Sequence, residues 1–271
     1  MSVKTVWAAY FSATDTTKKV VTRIARRLAA RTGAAYGVYD FTLPQARQAP
    51  KAFGPEDLVV FGTPVYAGRV PNLLIQFVSL VRGNGALAVP VVCYGNRAYD
   101  DALMELRNTL AAGGFLPLAA AAFSCQHAFS QSQNAGRPDV SDLTIAGGFA
   151  DRVAKKLAAG GLSPVSVPGN DPVGPYYTPR DRSGNPINIL KAVPVTADTC
   201  TRCGLCARQC PLGSIDPEDE TRMIGKCMKC NRCVKHCPAG AKYFDDPNYL
   251  YHKTELEEQF SWPRKSPELF L

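Results

Sequence analysis

The sequence predicts an α/β protein: a parallel sheet of five strands covered by helices on both faces, followed by a smaller cysteine-rich domain. Three observations carry this. Strand-like and helix-like patterns alternate five times over residues 1–160, as a doubly wound sheet requires. The 271 residues exceed the usual size of a single-core domain. Eight of the ten cysteines fall within residues 200–237. Hydrophobic residues make up 46% and charged residues 20%, a globular composition that excludes a disordered chain or a coiled coil.

Residues 3–11 are apolar and β-branched, a first strand. Val20, Val21, Ile24, Ala25 and Leu28 recur at helical spacing within residues 16–30. Residues 35–41 form a weaker strand pattern, and Leu58-Val59-Val60-Phe61 is a short apolar run of the buried-strand kind. Leu73, Leu74, Phe77, Val78 and Val81 predict the next helix. Residues 89–94 predict a strand, with Pro90 suited only to its start. Leu103, Leu106 and Leu110 mark a third helix, residues 115–123 a fifth strand, and residues 141–159 a last helix. Asp139 or Ser141 would cap that helix and Gly160-Gly161 would stop it.

Residues 161–194 carry Pro164, Pro168, Pro172, Pro175, Pro179 and Pro186, and read as a semi-rigid linker packed through Tyr176 and Tyr177. The cysteine-rich domain covers 195–246. Residues 247–271 read as a tail whose aromatics dock on the body. No apolar leader and no run of about 18 apolar residues is present, so a soluble, cytoplasmic protein without membrane insertion is expected. In a reducing compartment, clustered thiols serve as metal ligands rather than disulfides.

Cys200-x2-Cys203-x2-Cys206-x3-Cys210-Pro211 recurs 27 residues later as Cys227-x2-Cys230-x2-Cys233-x3-Cys237-Pro238. Such runs are bacterial iron–sulfur ligand patterns, in which the fourth cysteine serves the other cluster. Cysteines 200, 203, 206 and 237 are therefore assigned to one [4Fe–4S] cluster, and 227, 230, 233 and 210 to a second. Gly204 lets the chain bend around the first. Zinc sites use paired C-x2-C units and leave this duplication unexplained. Over about fifty positions the sequence resembles bacterial two-cluster ferredoxins. That resemblance implies a small α+β, pseudo-twofold domain that exchanges single electrons at low potential.

Ligands of open parallel sheets bind beyond the carboxyl ends of the strands. Three loops hold such positions: residues 12–17, 62–71 and 94–101. Hydroxyls at a helix N-terminus suit a phosphate, or simply cap the helix. In order and placement these loops resemble flavodoxins across residues 1–160. The resemblance implies the strand order 2-1-3-4-5 and bound FMN. Ser12, Thr14, Thr16 and Thr17 would hold the phosphate. Tyr66 and Tyr99 would stack on the ring, and Pro64, Val65, Ala67, Gly68, Gly95, Asn96 and Arg97 would contact it. The chain departs from flavodoxins at Asp15, where they generally carry Gly; a carboxylate there repels a phosphate unless it points away. The two halves together, with Gly136-Arg137-Pro138-Asp139, resemble anaerobe proteins that fuse a flavodoxin-like domain to a two-cluster ferredoxin.

Other residues read as structural. Cys93 and Cys125 are expected as buried free thiols, and Cys125-x-His127 lacks a third group for nucleophilic catalysis. His236 and His252 are expected at the surface, and Arg23, Arg26, Arg27 and Arg31 on a solvated helix face. No catalytic residue is identified. The expected function is an electron carrier between clusters, flavin and a redox partner protein; the alternative is a flavin-dependent reductase supplied by the clusters. The formal charge of +8 invites nucleic-acid binding, but no run of five Lys or Arg occurs. Eight ligating thiolates, partly offset by two cluster cores, together with an FMN phosphate leave the holoprotein near about +2.

Overall fold

The computed structural model describes residues 3–271. The chain runs β1 (Thr5–Tyr10), α1 (Thr16–Thr32), β2 (Ala35–Asp40), β3 (Asp57–Pro64), α2 (Asn72–Val78), β4 (Leu87–Tyr94) and α3 (Ala102–Ala112). It continues through β5 (Leu116–Pro117), β6 (Ala120–Ser124) and α4 (Val140–Ala158). The second domain holds β7 (Val195–Thr196), α5 (Leu205–Arg208), α6 (Arg232–Lys235) and β8 (Lys242–Tyr243). The chain closes with α7 (Pro247–Phe260) and β9 (Glu268–Phe270).

The large sheet has the order β2-β1-β3-β4-β6-β9, with the short β5 also pairing β4. All pairs are parallel except β6 with β9. The flavodoxin-like order is therefore present and gains an antiparallel edge strand. α1 and α4 cover one face over Val6, Val60, Val91 and Phe123; α2 and α3 cover the other over Phe61, Ala88 and Val92. Burial on both faces explains why these strands read as continuous apolar runs.

Three expectations are corrected. Pro90 lies within β4, not at its start. Ala88 accepts from the Leu118 N–H, so Ala88 and Pro90 face the β5–β6 side, where the fifth strand breaks between Pro117 and Ala120. Proline's missing donor falls at that break. The C-terminal tail is a helix and a strand that completes the sheet; Tyr249 is buried as expected, whereas Trp262 is exposed. The arginines of α1 are not merely solvated: Arg27 and Arg31 both engage Asp151 on α4, and Arg23 donates to the Leu143 carbonyl.

Asp139 caps α4 in a reciprocal box with Asp142. Asp142 also pairs with Arg137, both side chains being almost wholly buried, and Arg137 Nη1 donates to the Lys265 carbonyl at 2.8 Å. This pair ties the entrance of α4 to the C-terminal segment. Removing one partner leaves a buried charge uncompensated, so Arg137→Ala is expected to lose about 3–5 kcal/mol of stability, read as a lower urea midpoint. An unchanged midpoint would contradict the role given to the pair.

Candidate functional site

A cavity of about 1190 Å³ opens at the carboxyl ends of the parallel strands. The three βα loops form one side of it. Thr14, Thr16, Thr17, Pro64, Val65, Tyr66, Ala67, Gly68, Gly95 and Arg97 all line it. Ser12, Asn96 and Tyr99 do not. Ser12 Oγ accepts from the Lys18 N–H at 3.0 Å and so braces the first loop from behind. Asn96 is buried, donates to the Phe260 and Pro263 carbonyls, and accepts from the Lys265 N–H. Tyr99 packs on Tyr94 and donates to Glu268 of β9 at 2.7 Å. The last two fasten the C-terminal segment to the sheet.

The first loop is suited to an anion. Thr17 Oγ1 is buried without a hydrogen-bond partner at the start of α1, so a polar atom there awaits one. Asp15 does not stand in the way. Its backbone is left-handed at φ 63°, the conformation for which glycine is the usual residue. Its carboxylate reaches into the second domain, 3.4 Å from His236 Nε2 and 4.0 Å from Arg232 Nη1. Arg232 Nη1 also donates to the Ser12 and Ala13 carbonyls, at 3.3 and 2.6 Å. Asp15 is thus an interdomain contact, and His236 is drawn off the surface by it and by Gln209 Oε1 at 2.9 Å.

The cysteine arms repeat in detail. The Arg202 and Lys229 N–H groups donate to Cys200 and Cys227 sulfur at 3.4 and 3.3 Å. The Ser214 and Ala241 N–H groups donate to Cys210 and Cys237 at 3.3 and 3.2 Å. Positive φ recurs at Arg202 and Lys229, at Gly204 and Asn231, and at Gly213 and Gly240. Each pair is 27 residues apart, the displacement of the cysteines themselves. A small second cavity is lined by Cys210, Cys227, Cys230 and Cys233, bringing the fourth cysteine of the first run to the second. All eight cysteines are free thiols, and sulfur-only donors with N–H groups aimed at them fit an iron–sulfur core. Burial pushes the Cys233 thiol up to about 12 and raises Cys230 further, so these sulfurs ionise when a metal takes the proton's place.

The two sites adjoin. Cys227, Met228 and Lys229 line the large cavity opposite the βα loops. Burial, then the neighbouring Cys230 and Cys227, push the Tyr66 phenol upward, which marks how close the second loop lies to the second cysteine arm. Cys203 of the first arm is exposed, whereas Cys230 is 8% exposed and packs into the core of the α/β domain.

Sequence reading missed the rest of the cavity wall: Gln126, His127 and Phe129 after β6, Tyr177 and residues 186–191 of the linker, and His252 of α7. His252 is buried, not superficial. Cys125-x-His127 was the one visible signal. His127 Nδ1 accepts from the Phe129 N–H at 3.1 Å, so its proton sits on Nε2. Burial, then Lys235 and His252, depress His127 to about 3, and the ring is neutral. A side chain at Gly95 would collide with this ring. Cys93 and Cys125 are buried, as expected.

Residues 192–238 match the 4Fe-4S dicluster domain family. No curated protein matches the chain. Similar solved structures include a flavodoxin from Streptococcus pneumoniae TIGR4, 16% identical over 56% of this chain and 99% of that one, TM-score 0.37. A flavodoxin from the domain Archaea is 14% identical over 58% and 99%, TM-score 0.35. An NADH:FMN oxidoreductase in its apo form is 18% identical over 57% and 90%, TM-score 0.38. These likenesses are distant, and the character of the first domain rests on its own strand order and loops. By those features the chain joins a flavodoxin-like α/β domain to a 4Fe-4S dicluster domain.

Burial, then Arg97, lower His252 to about 4 against the opposing pull of Glu255. The unfolded chain, with imidazole near about 6.5, therefore takes up this proton first. Stability from His252 is fully present above about pH 6.5 and is lost as the pH falls toward 4. The urea midpoint of the wild type should drop more steeply across that window than that of His252→Gln; equal slopes would refute the buried neutral imidazole.

Proposed function

We propose that the protein is an electron-transfer protein carrying two [4Fe–4S] clusters and FMN, which moves low-potential electrons between a redox partner, the clusters and the flavin. The observation that carries this reading is the shared wall: the cavity bounded by the three βα loops is bounded on its other side by Cys227. The clusters supply one-electron steps, and FMN supplies one- or two-electron exchange. The protein's own part is positioning and insulation.

In this reading Thr14, Thr16 and Thr17 donate to the FMN phosphate, and the N-terminus of α1 adds its favourable dipole. Arg232 holds the backbone of the same loop through the Ser12 and Ala13 carbonyls and keeps the Asp15 carboxylate turned from the phosphate. Tyr66 and Met228 fill the space between the loops and the second cysteine arm and exclude water there. The exposed Cys203 makes the first cluster the one a partner would reach, and the buried Cys230 makes the second the relay to the flavin. A reductase is the second reading, favoured by a cavity that extends well beyond the three loops.

Anaerobic purification followed by iron, sulfide and flavin analysis should give about eight iron and one FMN per chain. Eight iron with no flavin retained or bound on reconstitution would leave a dicluster protein on a scaffold and defeat the proposal. Thr17→Val removes a buried charge-assisted donor and should weaken FMN binding by about tenfold or more at unchanged iron content.

A further inference from the structure

The three βα loops account for only one side of the large cavity. The other side is built from the linker, α7, the segment after β6 and residues 225–229. At about 1190 Å³ the space exceeds the range of roughly 300–1,000 Å³ typical of a single-ligand pocket.

The chemistry of that second side is distinctive. Among the described residues no Asp or Glu lines the cavity, while Arg97, Lys191, Lys226 and Lys229 do. Among the described residues Lys191 and Lys226 make no ion pair and no side-chain hydrogen bond, unlike Lys229, which donates to the Leu190 and Cys227 carbonyls. The walls are aromatic: Phe129 lies edge-on to both His127 and His252, at 5.2 and 6.2 Å between centroids, and Tyr177 stacks on His252 at 6.3 Å. The Arg97 guanidinium covers the Tyr177 ring at 4.3 Å. Burial keeps both imidazoles neutral. With Nδ1 of His127 engaged as an acceptor, its Nε2–H has no partner among the described residues, and His252 makes no side-chain hydrogen bond among them.

Flat aromatic walls select a planar ligand. Neutral N–H donors and uncompensated cations in a wall without carboxylates select oxygen acceptors that carry negative charge. We propose that this second compartment binds a small planar carboxylate, aromatic or conjugated, beside the flavin seat. The proposal rests on the flavin reading above and gives its reductase branch a substrate class.

The probe is cinnamate, with cinnamamide as its uncharged counterpart, titrated by calorimetry into the full-length, cluster-loaded protein before and after FMN saturation. The expected result is one cinnamate per chain with FMN retained, and cinnamamide weaker by about tenfold or more. Lys191→Gln, on the exposed linker, should weaken cinnamate about tenfold and leave FMN affinity and iron content unchanged. His252→Gln should weaken it as well. Absence of cinnamate binding at millimolar concentration, equal binding of cinnamamide, indifference to Lys191→Gln, or displacement of FMN by cinnamate would each overturn the proposal. If released-flavin analysis finds no FMN to saturate, the flavin reading fails, while titration of the cluster-loaded chain still decides the compartment.

Discussion

Arg232 stands one residue before Cys233 and donates to the backbone of the first βα loop, at Ser12 and Ala13, while facing Asp15. Much of the arrangement depends on this contact. Two domains that share few covalent constraints across a proline-rich linker must meet in one register if the βα loops and the second cysteine arm are to line one cavity. A guanidinium shared between two carbonyls and a carboxylate supplies direction as well as attraction, because its donors are fixed in a plane. Arg47, donating to Phe41, Thr42 and Pro211, and Lys235, donating to the His127 carbonyl at 2.7 Å, repeat the device on either side. Backbone acceptors dominate these contacts, so docking is read through chain geometry.

The same logic explains Asp15. A position that needs φ near 63° would ordinarily favour glycine. Here the left-handed backbone turns the side chain toward the second domain, so the residue that looked inhibitory in isolation becomes part of the joint. Several of the chain's arginines are likewise engaged internally. Arg27 and Arg31 bind Asp151, Arg137 binds Asp142, Arg69 binds Glu105, and Arg182 binds Glu255 and Glu258.

The strands and helices of the α/β domain were legible because both faces of the sheet are buried and because apolar residues recur at helical spacing along each helix. The eight-cysteine repeat was legible because its spacing is local in sequence. What was not legible depends on distant contacts. β9 has three residues, too few for a periodic signal, and exists only because β6 offers it an edge. Asn96 and Tyr99 sit in a cofactor-type loop yet bond to residues more than 160 positions away. Pro90 is tolerated in β4 only because the neighbouring strand breaks opposite it. His252 reads as a surface group of the C-terminal tail, and only the fold of the linker over α7 buries it against Tyr177.

Adjacency of the second cysteine arm and the proposed flavin seat is open to a kinetic test. Cluster-loaded, FMN-saturated protein is mixed anaerobically in a stopped-flow instrument with a one-electron low-potential dye, and cluster and flavin absorbances are followed separately. The flavin band should bleach after the clusters, with a rate independent of protein and dye concentration, as transfer within one chain requires. A flavin rate proportional to either concentration, or a flavin that remains oxidised while the clusters are reduced and an electron acceptor is present, would contradict it.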